Sequence, residues 1–420
     1  MHQLKTLSDK MMQEFIQKHL DDDVRHLALE ADKFPEINMP FVLQQIAGRQ
    51  RVKDKLPTWC AHSQVVFPPQ LNLEQCSSEW TAQYKAHWLQ GVLPADVILH
   101  SFVDLTGGFG VDTFALASIF DKGHYVECNE DLFALVTHNA HVMGRDNLQL
   151  HQMACEEYLA EMPSVTLCYI DPARRSMSGQ KVAALEDCTP DVLTLLPVMT
   201  RHSKYVLLKL SPMLDIKAVL RVLKGVTQVA VVSLHNECKE LLVLIDCQAY
   251  QVGKQVDNVL DEVPLFAVNI HDGEFAEIYK TSYNIEAVVP LLIYEDEVEA
   301  LKGCFLFEPN TSVMKVGAFA SLTANYPVRQ LGQSAHLFVS DEDCLGFPGR
   351  RFFIEDTCKV QKKDVQKMMM NNLRCHLTVR DFPDTVANLR KKLKLKEGGD
   401  TYLFATSVGK EKRLLRCTKV

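Results

Sequence analysis

A doubly wound α/β domain with a mostly parallel sheet and an antiparallel last strand is predicted over residues 95–250. An N-terminal helical region precedes it and a C-terminal α+β unit follows. Three observations carry the prediction. From about residue 95, short apolar runs alternate with helical stretches, the mark of a parallel sheet covered on both faces. A glycine-rich turn, LTGGFG, joins the first run to the first helical stretch. The last two runs, in VAVVSLHNECKELLVLID, are separated by only a short polar turn, so they form a hairpin and the final strand runs antiparallel to its neighbour.

Taken in order, residues 1–94 are expected to be helical. In EINMPFVLQQIAGRQRVKDKL, Pro40 stands at a helix start, apolar Phe41, Val42 and Ile46 follow, and Arg49, Arg51, Lys53 and Lys55 close it. A second helix begins in CSSEWTAQYKAHWLQG, capped by Ser77 or Ser78 and ending near Gly91. In the sheet domain, VILHSFVDL, HYVECN, LQLHQM, VTLCYIDP, YVLLKLSP and VAVVSL read as strands. FALASIF, EDLFALVTHNAHVM, CEEYLAEM and PDVLTLLPVM read as helices between them, the last with Thr189 as cap and Pro190 in its first turn. Residues 251–345 read as a connecting α+β subdomain, for which a ferredoxin-like arrangement is one option. Residues 346–420 form a compact α+β unit with helices at KKDVQKMMMNN and PDTVANLRKKL.

With 420 residues, two to four domains are expected. Hydrophobic content of 47% and charged content of 23% are those of a soluble globular protein rather than a disordered or membrane-embedded one. No apolar stretch reaches the ~20 residues of a membrane helix. The N-terminus reads as an amphipathic helix rather than a signal peptide, so a cytoplasmic location is expected. The thirteen cysteines are scattered without CxxC spacing, which favours free thiols, and the fifteen histidines do not cluster at ligand spacing, so no metal is expected. The net charge of −8 is uneven. Residues 346–420 hold 18 Lys+Arg against 8 Asp+Glu, which leaves the rest of the chain at −18. A basic tail on an acidic body suits either a polyanion reader or a solvated face.

Chemistry concentrates in three places. In VDLTGGFGVDT, Gly107, Gly108 and Gly110 permit a sharp turn and close approach of a ligand. Asp104, at the strand end, is placed to take a hydrogen bond from a cationic or hydroxyl-bearing ligand, and Thr106 is expected beside it in the cofactor site. Glu127 ends the next strand, 17 residues after Gly110, where a carboxylate can accept both hydroxyls of a ribose. A dinucleotide fingerprint needs a small residue where Thr113 stands, and the terminal hairpin also disfavours a dinucleotide fold. In YIDPARR, at the end of the fourth strand, Asp171 faces the same cleft. Its carboxylate and the Pro172 carbonyl are placed to accept N–H bonds from a substrate amine. Arg174 and Arg175 either clamp phosphate or make ordinary ion pairs, and Lys209 lies at the cleft rim as a substrate contact. In the tail, Arg390, Lys391, Lys392 and Lys394 form a dense cationic patch, suited either to RNA phosphates or to solvent.

At DLTGGFGVD, Glu127 and DPARR together, the chain resembles the class I S-adenosylmethionine-dependent methyltransferases. Asp104, Gly108 and Gly110 match that superfamily's first motif, Glu127 its ribose-binding acid, and Asp171-Pro172 the start of its catalytic tetrad. More narrowly, QCSSEWTAQYKA, DPARR, LEDCTPD and KKLKLKEGGDTYLFAT resemble bacterial proteins with a THUMP-like C-terminal domain. The resemblance implies a Rossmann-like methyltransferase sheet, S-adenosylmethionine as cofactor, and RNA as substrate held by the basic tail. The form D-x-T-x-G-x-G-x-D is similar to that of enzymes methylating ribosomal RNA guanine at N2, which makes that atom the favoured target. Two departures are visible. The tetrad reads Asp-Pro-Ala-Arg, so Arg174 stands where an aromatic would stack on a base. After the third strand, Met153-Ala154-Cys155 replaces the usual adenine-binding acid, leaving backbone groups or Glu156 to hold adenine. The other readings of the sequence are a methyltransferase for a protein or small molecule, and a non-catalytic RNA-binding protein of the same fold.

Overall fold

Among the described residues, capping residues and buried apolar stripes set six N-terminal helices. They are α1 (Lys10–Lys18), α2 (Val24–Leu29), α3 (Met39–Val52), α4 (Pro57–Ala61), α5 (Gln70–Gln75) and α6 (Glu79–Val92). Asp23, Asn38 and Ser78 cap α2, α3 and α6 with their side-chain oxygens. Met12 and Ile16 of α1, Leu27 of α2 and Phe41, Val42 and Ile46 of α3 share one apolar cluster. Arg49, expected on the basic end of α3, is instead buried, and its guanidinium donates to the carbonyls of Cys60, His62, Ser63 and Val65.

This is a computed structural model, and it describes residues 10–174, 185–253, 263–282, 291–317, 319–332, 334–370 and 372–420. The chain divides into two compact units. One comprises Met1–Val229, Glu240–Val256 and Asp272–Phe275; the other comprises Ala230–Lys239, Asp257–His271 and Ala276–Val420. Among the described residues, no helix is long and apolar enough to cross a membrane. All thirteen cysteines are free thiols.

In the first unit, the strands are β1 (Ser101–Asp104), β2 (Lys122–Val126), β3 (Leu148–His151), β4 (Val165–Ile170), the short β5 (Ala173–Arg174) and β6 (Cys188–Thr189), and β7 (Ser203–Leu210). Between them run α7 (Val111–Leu116), α8 (Glu130–Val142), α9 (Cys155–Glu161), α10 (Val192–His202) and α11 (Ile216–Val222). Every residue of β1 and β4 is buried, as a central parallel strand with helices on both faces requires. The hairpin of β8 (Val226–Leu234) and β9 (Glu237–Asp246) turns on His235 and Asn236, both left-handed at φ 49° and 64°, the twist a two-residue turn needs. These strands lie in a nine-stranded sheet and follow the order β8-β9-β7-β4-β1-β2-β3. β1, β2, β3, β4 and β7 are parallel, and β9 lies antiparallel against β7, as expected for the final strand. One detail differs from expectation: α10 begins at Val192, and its cap is Asp191, whose carboxylate accepts from Leu193 and Thr194 N–H, not Thr189.

The second unit contains a seven-stranded sheet. Its strands are β12 (Phe305–Pro309), β13 (Arg329–Gln330), β14 (Phe338–Ser340), β15 (Gly349–Lys359), β16 (His376–Val379), β17 (Tyr402–Val408) and β18 (Glu411–Lys419), and two strands before them, β10 (Leu265–His271) and β11 (Glu274–Thr281), complete the numbering. The order is β13-β14-β12-β15-β18-β17-β16, so β12 pairs with β15 across residues 345–346. Two helices, Lys362–Met368 and Val386–Leu393, supply Val365, Met368, Leu389 and Leu393 to a cluster with Leu403 and Leu414 of the sheet. Met368 and Met369 of the methionine run are core, and Met370 is exposed.

Candidate active site

The chain leaves β1 toward β2 and β3, then crosses back to β4 and β7 on the other side. Where strand order reverses in this way, a crevice opens beyond the carboxyl ends of the strands. Asp104 ends β1, Glu127 follows β2 and Asp171 follows β4, so all three acids stand at that edge.

The loop after β1 is held from below. Asp104 is buried, and its carboxylate accepts from the Thr106 N–H (3.0 Å) and the Thr113 hydroxyl (2.6 Å). It therefore sits inside the turn and shapes it, rather than facing a ligand. Gly107 has no room for a side chain, since a Cβ there would lie 2.1 Å from the Tyr125 ring. Gly108, left-handed at φ 53°, is different: its missing Cβ would meet nothing closer than the Thr106 carbonyl at 3.7 Å, so its outer face is open. Gly110 caps the N-terminus of α7 at φ 84°. Glu127 accepts from Gly108 N–H (3.0 Å) and Asn129 N–H (2.8 Å). The Cys128 thiol also donates to it, weakly, at 3.7 Å. A carboxylate has about four acceptor positions, so Glu127 keeps one free for a hydroxyl, and a second if the thiol yields, beside an open glycine face. That combination fits an adenosyl ligand. Thr106 joins the two halves of the site, because its hydroxyl accepts from the Asp171 N–H at 2.7 Å.

Beneath the cleft lies a feature the sequence reading did not assemble. Lys209, on β7, is ion-paired with Asp171 and lies 3.5 Å from Asp112. Asp112, in the first turn of α7, also accepts from the Ser77 and Tyr169 hydroxyls and pairs with Lys85 of α6 at 3.0 Å. Lys85 is fully buried and meets Glu240 of β9 at 2.8 Å. Burial alone would push the Asp112 carboxyl up, but the two ammonium groups beside it hold it well below the usual carboxylate range. Burial works against the Lys209 ammonium too, yet Asp171, Asp112 and Glu240 keep it firmly protonated. Glu240 is raised, because burial outweighs the help of Lys85. Lys85 was legible in principle: it stands between Thr81 and Trp88, in the middle of the buried face of α6.

The remaining predicted residues are more dispersed. Pro172 is buried beside Asp171. Arg174 lies in β5, whose backbone pairs with β6, and Arg175 lies outside the described residues. Glu156 is exposed in the first turn of α9, where its carboxylate accepts from the Cys155 thiol at 3.2 Å. In the second unit, Arg390 donates to the Cys375 carbonyl and pairs with Glu397, so it serves its own fold. Lys391, Lys392 and Lys394 are exposed, Lys394 as the left-handed C-cap of its helix.

Asp104 makes the site pH-sensitive. Burial raises its carboxyl from 3.8 to about 7, tempered by the Thr113 and Thr106 hydrogen bonds. The folded state therefore binds this proton more tightly than the unfolded chain. The associated stability is present below about pH 4 and is lost as pH rises toward 7. Asp104→Asn is expected to flatten that part of the stability profile, read as urea midpoints between pH 4 and 8. A slope identical to that of the unsubstituted protein would remove Asp104 as its source.

A family profile described as THUMP domain-like matches residues 349–419, and one described as a ferredoxin-like domain matches residues 305–348. No curated protein matches the sequence. The crystal structure of a provisionally assigned methyltransferase from Porphyromonas gingivalis W83 is similar throughout, with 26% identity, a TM-score of 0.82, and coverage of 99% of this chain and 98% of that one. An rRNA methylase from Streptococcus thermophilus matches at 15% identity and TM-score 0.29, covering 39% of this chain and 93% of that one. A Streptococcus mutans protein, also provisionally assigned as a methyltransferase and solved in complex with S-adenosylhomocysteine, matches at 14% identity and TM-score 0.28, covering 39% and 96%. The strand order and the full-length likeness to the Porphyromonas protein give the chain a methyltransferase fold, and residues 349–419 form a THUMP-like C-terminal domain.

Proposed function

We propose that the protein is an S-adenosylmethionine-dependent RNA methyltransferase acting on an exocyclic base amine, guanine N2 being the favoured target. One observation carries the proposal most strongly: the Thr106 hydroxyl of the glycine loop accepts the Asp171 N–H, so the cofactor loop and the candidate catalytic acid are fixed to each other. Glu127 would hold the ribose hydroxyls, and the open face of Gly108 would admit the ligand's backbone-facing edge. Bound there, S-adenosylmethionine supplies an electrophilic methyl group. Asp171 accepts an N–H from the incoming amine, orients its lone pair into the cleft, and receives the proton the nitrogen sheds. Lys209, held protonated, cannot take that proton. RNA as substrate is supported by the basic surplus of residues 346–420, including exposed Lys391, Lys392 and Lys394, and by the THUMP-like match.

The test is calorimetric titration with S-adenosylhomocysteine, with NAD as control, followed by methyl transfer to undermodified RNA. Binding of the former alone and incorporation into RNA support the proposal. Salt-dependent RNA binding without transfer would replace it with a non-catalytic reading, and transfer to protein alone would change the substrate. Glu127→Ala is expected to weaken S-adenosylhomocysteine binding by about 1–3 kcal/mol, the cost of a lost charge-assisted hydrogen bond. An unaltered affinity would move the ribose site elsewhere.

A further inference from the structure

We propose that Lys209 is a positioning residue for Asp171, and that the buried ion-pair ladder behind it makes helix α6 part of the reaction centre. The proposal rests on the methyltransferase reading above and assigns a role to residues that reading leaves unused. Side-chain exposure falls along the ladder, from 34% at Asp171 to 12% at Lys209, 10% at Asp112, 3% at Glu240 and nil at Lys85. Only the outermost member reaches the cleft with a free edge; the rest form a dry support behind it.

The geometry decides between two roles for Lys209. A substrate-binding lysine reaches outward on its flexible stem, with its ammonium in solvent. This ammonium instead faces two carboxylates of its own chain, Asp171 and Asp112. Asp112 is itself committed to Lys85, Ser77 and Tyr169, so it cannot swing away with Lys209. Lys85 is tied in turn to Glu240 and to the Thr81 carbonyl. Each charge in the ladder is fixed by the next, and the last is anchored in a helix and a strand. In a site that works by placement, an acid held this way needs no reorganisation when the amine arrives.

The experiment compares Lys209→Met and Lys209→Arg in the full-length protein, reading kcat and KM for methyl transfer to RNA and calorimetric affinity for S-adenosylhomocysteine. For Lys209→Met we expect kcat to fall by roughly 100-fold, the scale of a misplaced catalytic group. KM and cofactor affinity should stay within a few-fold, and Lys209→Arg should recover a tenth or more of the rate. A raised KM with unchanged kcat would make Lys209 a substrate contact and overturn the proposal, as would an unchanged rate. A second measurement needs no catalysis: a stability cycle of Lys209→Met, Asp171→Asn and the double variant. Non-additive midpoint shifts are expected, and additive shifts would overturn the pairing. Should the unsubstituted protein bind S-adenosylhomocysteine but transfer no methyl group, the functional reading fails, while the cycle still decides the ladder.

Discussion

Asp171→Ala is expected to lower methyl transfer by at least ~100-fold, about 2.7 kcal/mol of barrier, with S-adenosylhomocysteine affinity nearly unchanged. The separation follows from which atoms do what. The bond from Asp171 to Thr106 uses the backbone N–H, which alanine retains, so the glycine loop keeps its support. Glu127 and Gly108 are untouched, and with them the proposed ribose contact. What disappears is the carboxylate that would accept the amine's N–H. Lys209 keeps Asp112 as a neighbour, which limits the damage to the fold. Parallel measurement of kcat and calorimetric affinity checks this. An unchanged rate would take Asp171 out of the mechanism, and loss of both quantities together would mean that the side chain supports the loop instead.

Lys85→Met should cost about 3–5 kcal/mol of stability, the usual consequence of removing one member of a buried ion pair. Methionine fills the volume, so the loss is electrostatic: Asp112 and Glu240 would be left in a dry site without the ammonium that lies between them. The deficit should shrink as pH falls, because burial already raises the proton affinity of Glu240, and a protonated Glu240 no longer needs a cation. Adding Glu240→Met to the variant should recover part of the loss at neutral pH. Denaturant midpoints at several pH values read all of this. A single variant as stable as its parent would show that the pair contributes nothing net.

The strands and the glycine loop were legible because their signals are local. An apolar run, a turn and an acid at a strand end occupy a few consecutive residues, and the spacing of VDLTGGFGVDT already contains the loop's geometry. The ladder was not legible, because its members pair across 155 residues between Lys85 and Glu240, and no periodicity in sequence reports such a contact. A lysine in the apolar stripe of α6 signals that a partner exists but does not say which. Asp104 shows a related limit: a strand-end acid reads as a ligand contact, yet burial turned it inward to Thr106 and Thr113. Arg390 shows another, since counting charge cannot reveal that a guanidinium serves its neighbours Cys375 and Glu397. Asp191, rather than Thr189, caps α10: it directly precedes the helix, and its carboxylate accepts from the N–H groups of Leu193 and Thr194.

The antiparallel strand β9 lies against β7 and also gives Lys85 its second carboxylate. During synthesis the helix bearing Lys85 emerges long before residue 240, and until β9 slots in between β7 and β8 that lysine lacks Glu240. Closing a contact over 155 residues is slow compared with forming helices and local turns. The first unit also includes Asp272–Phe275, so the chain crosses between the two units several times. Neither unit is one uninterrupted stretch of nascent chain, and a ribosome stalled near residue 235 would hold a sheet still lacking β9, with Lys85 able to meet Asp112 but not Glu240. Insertion of a single strand thus sets β9 against β7 and brings the buried lysine its second carboxylate in the same event.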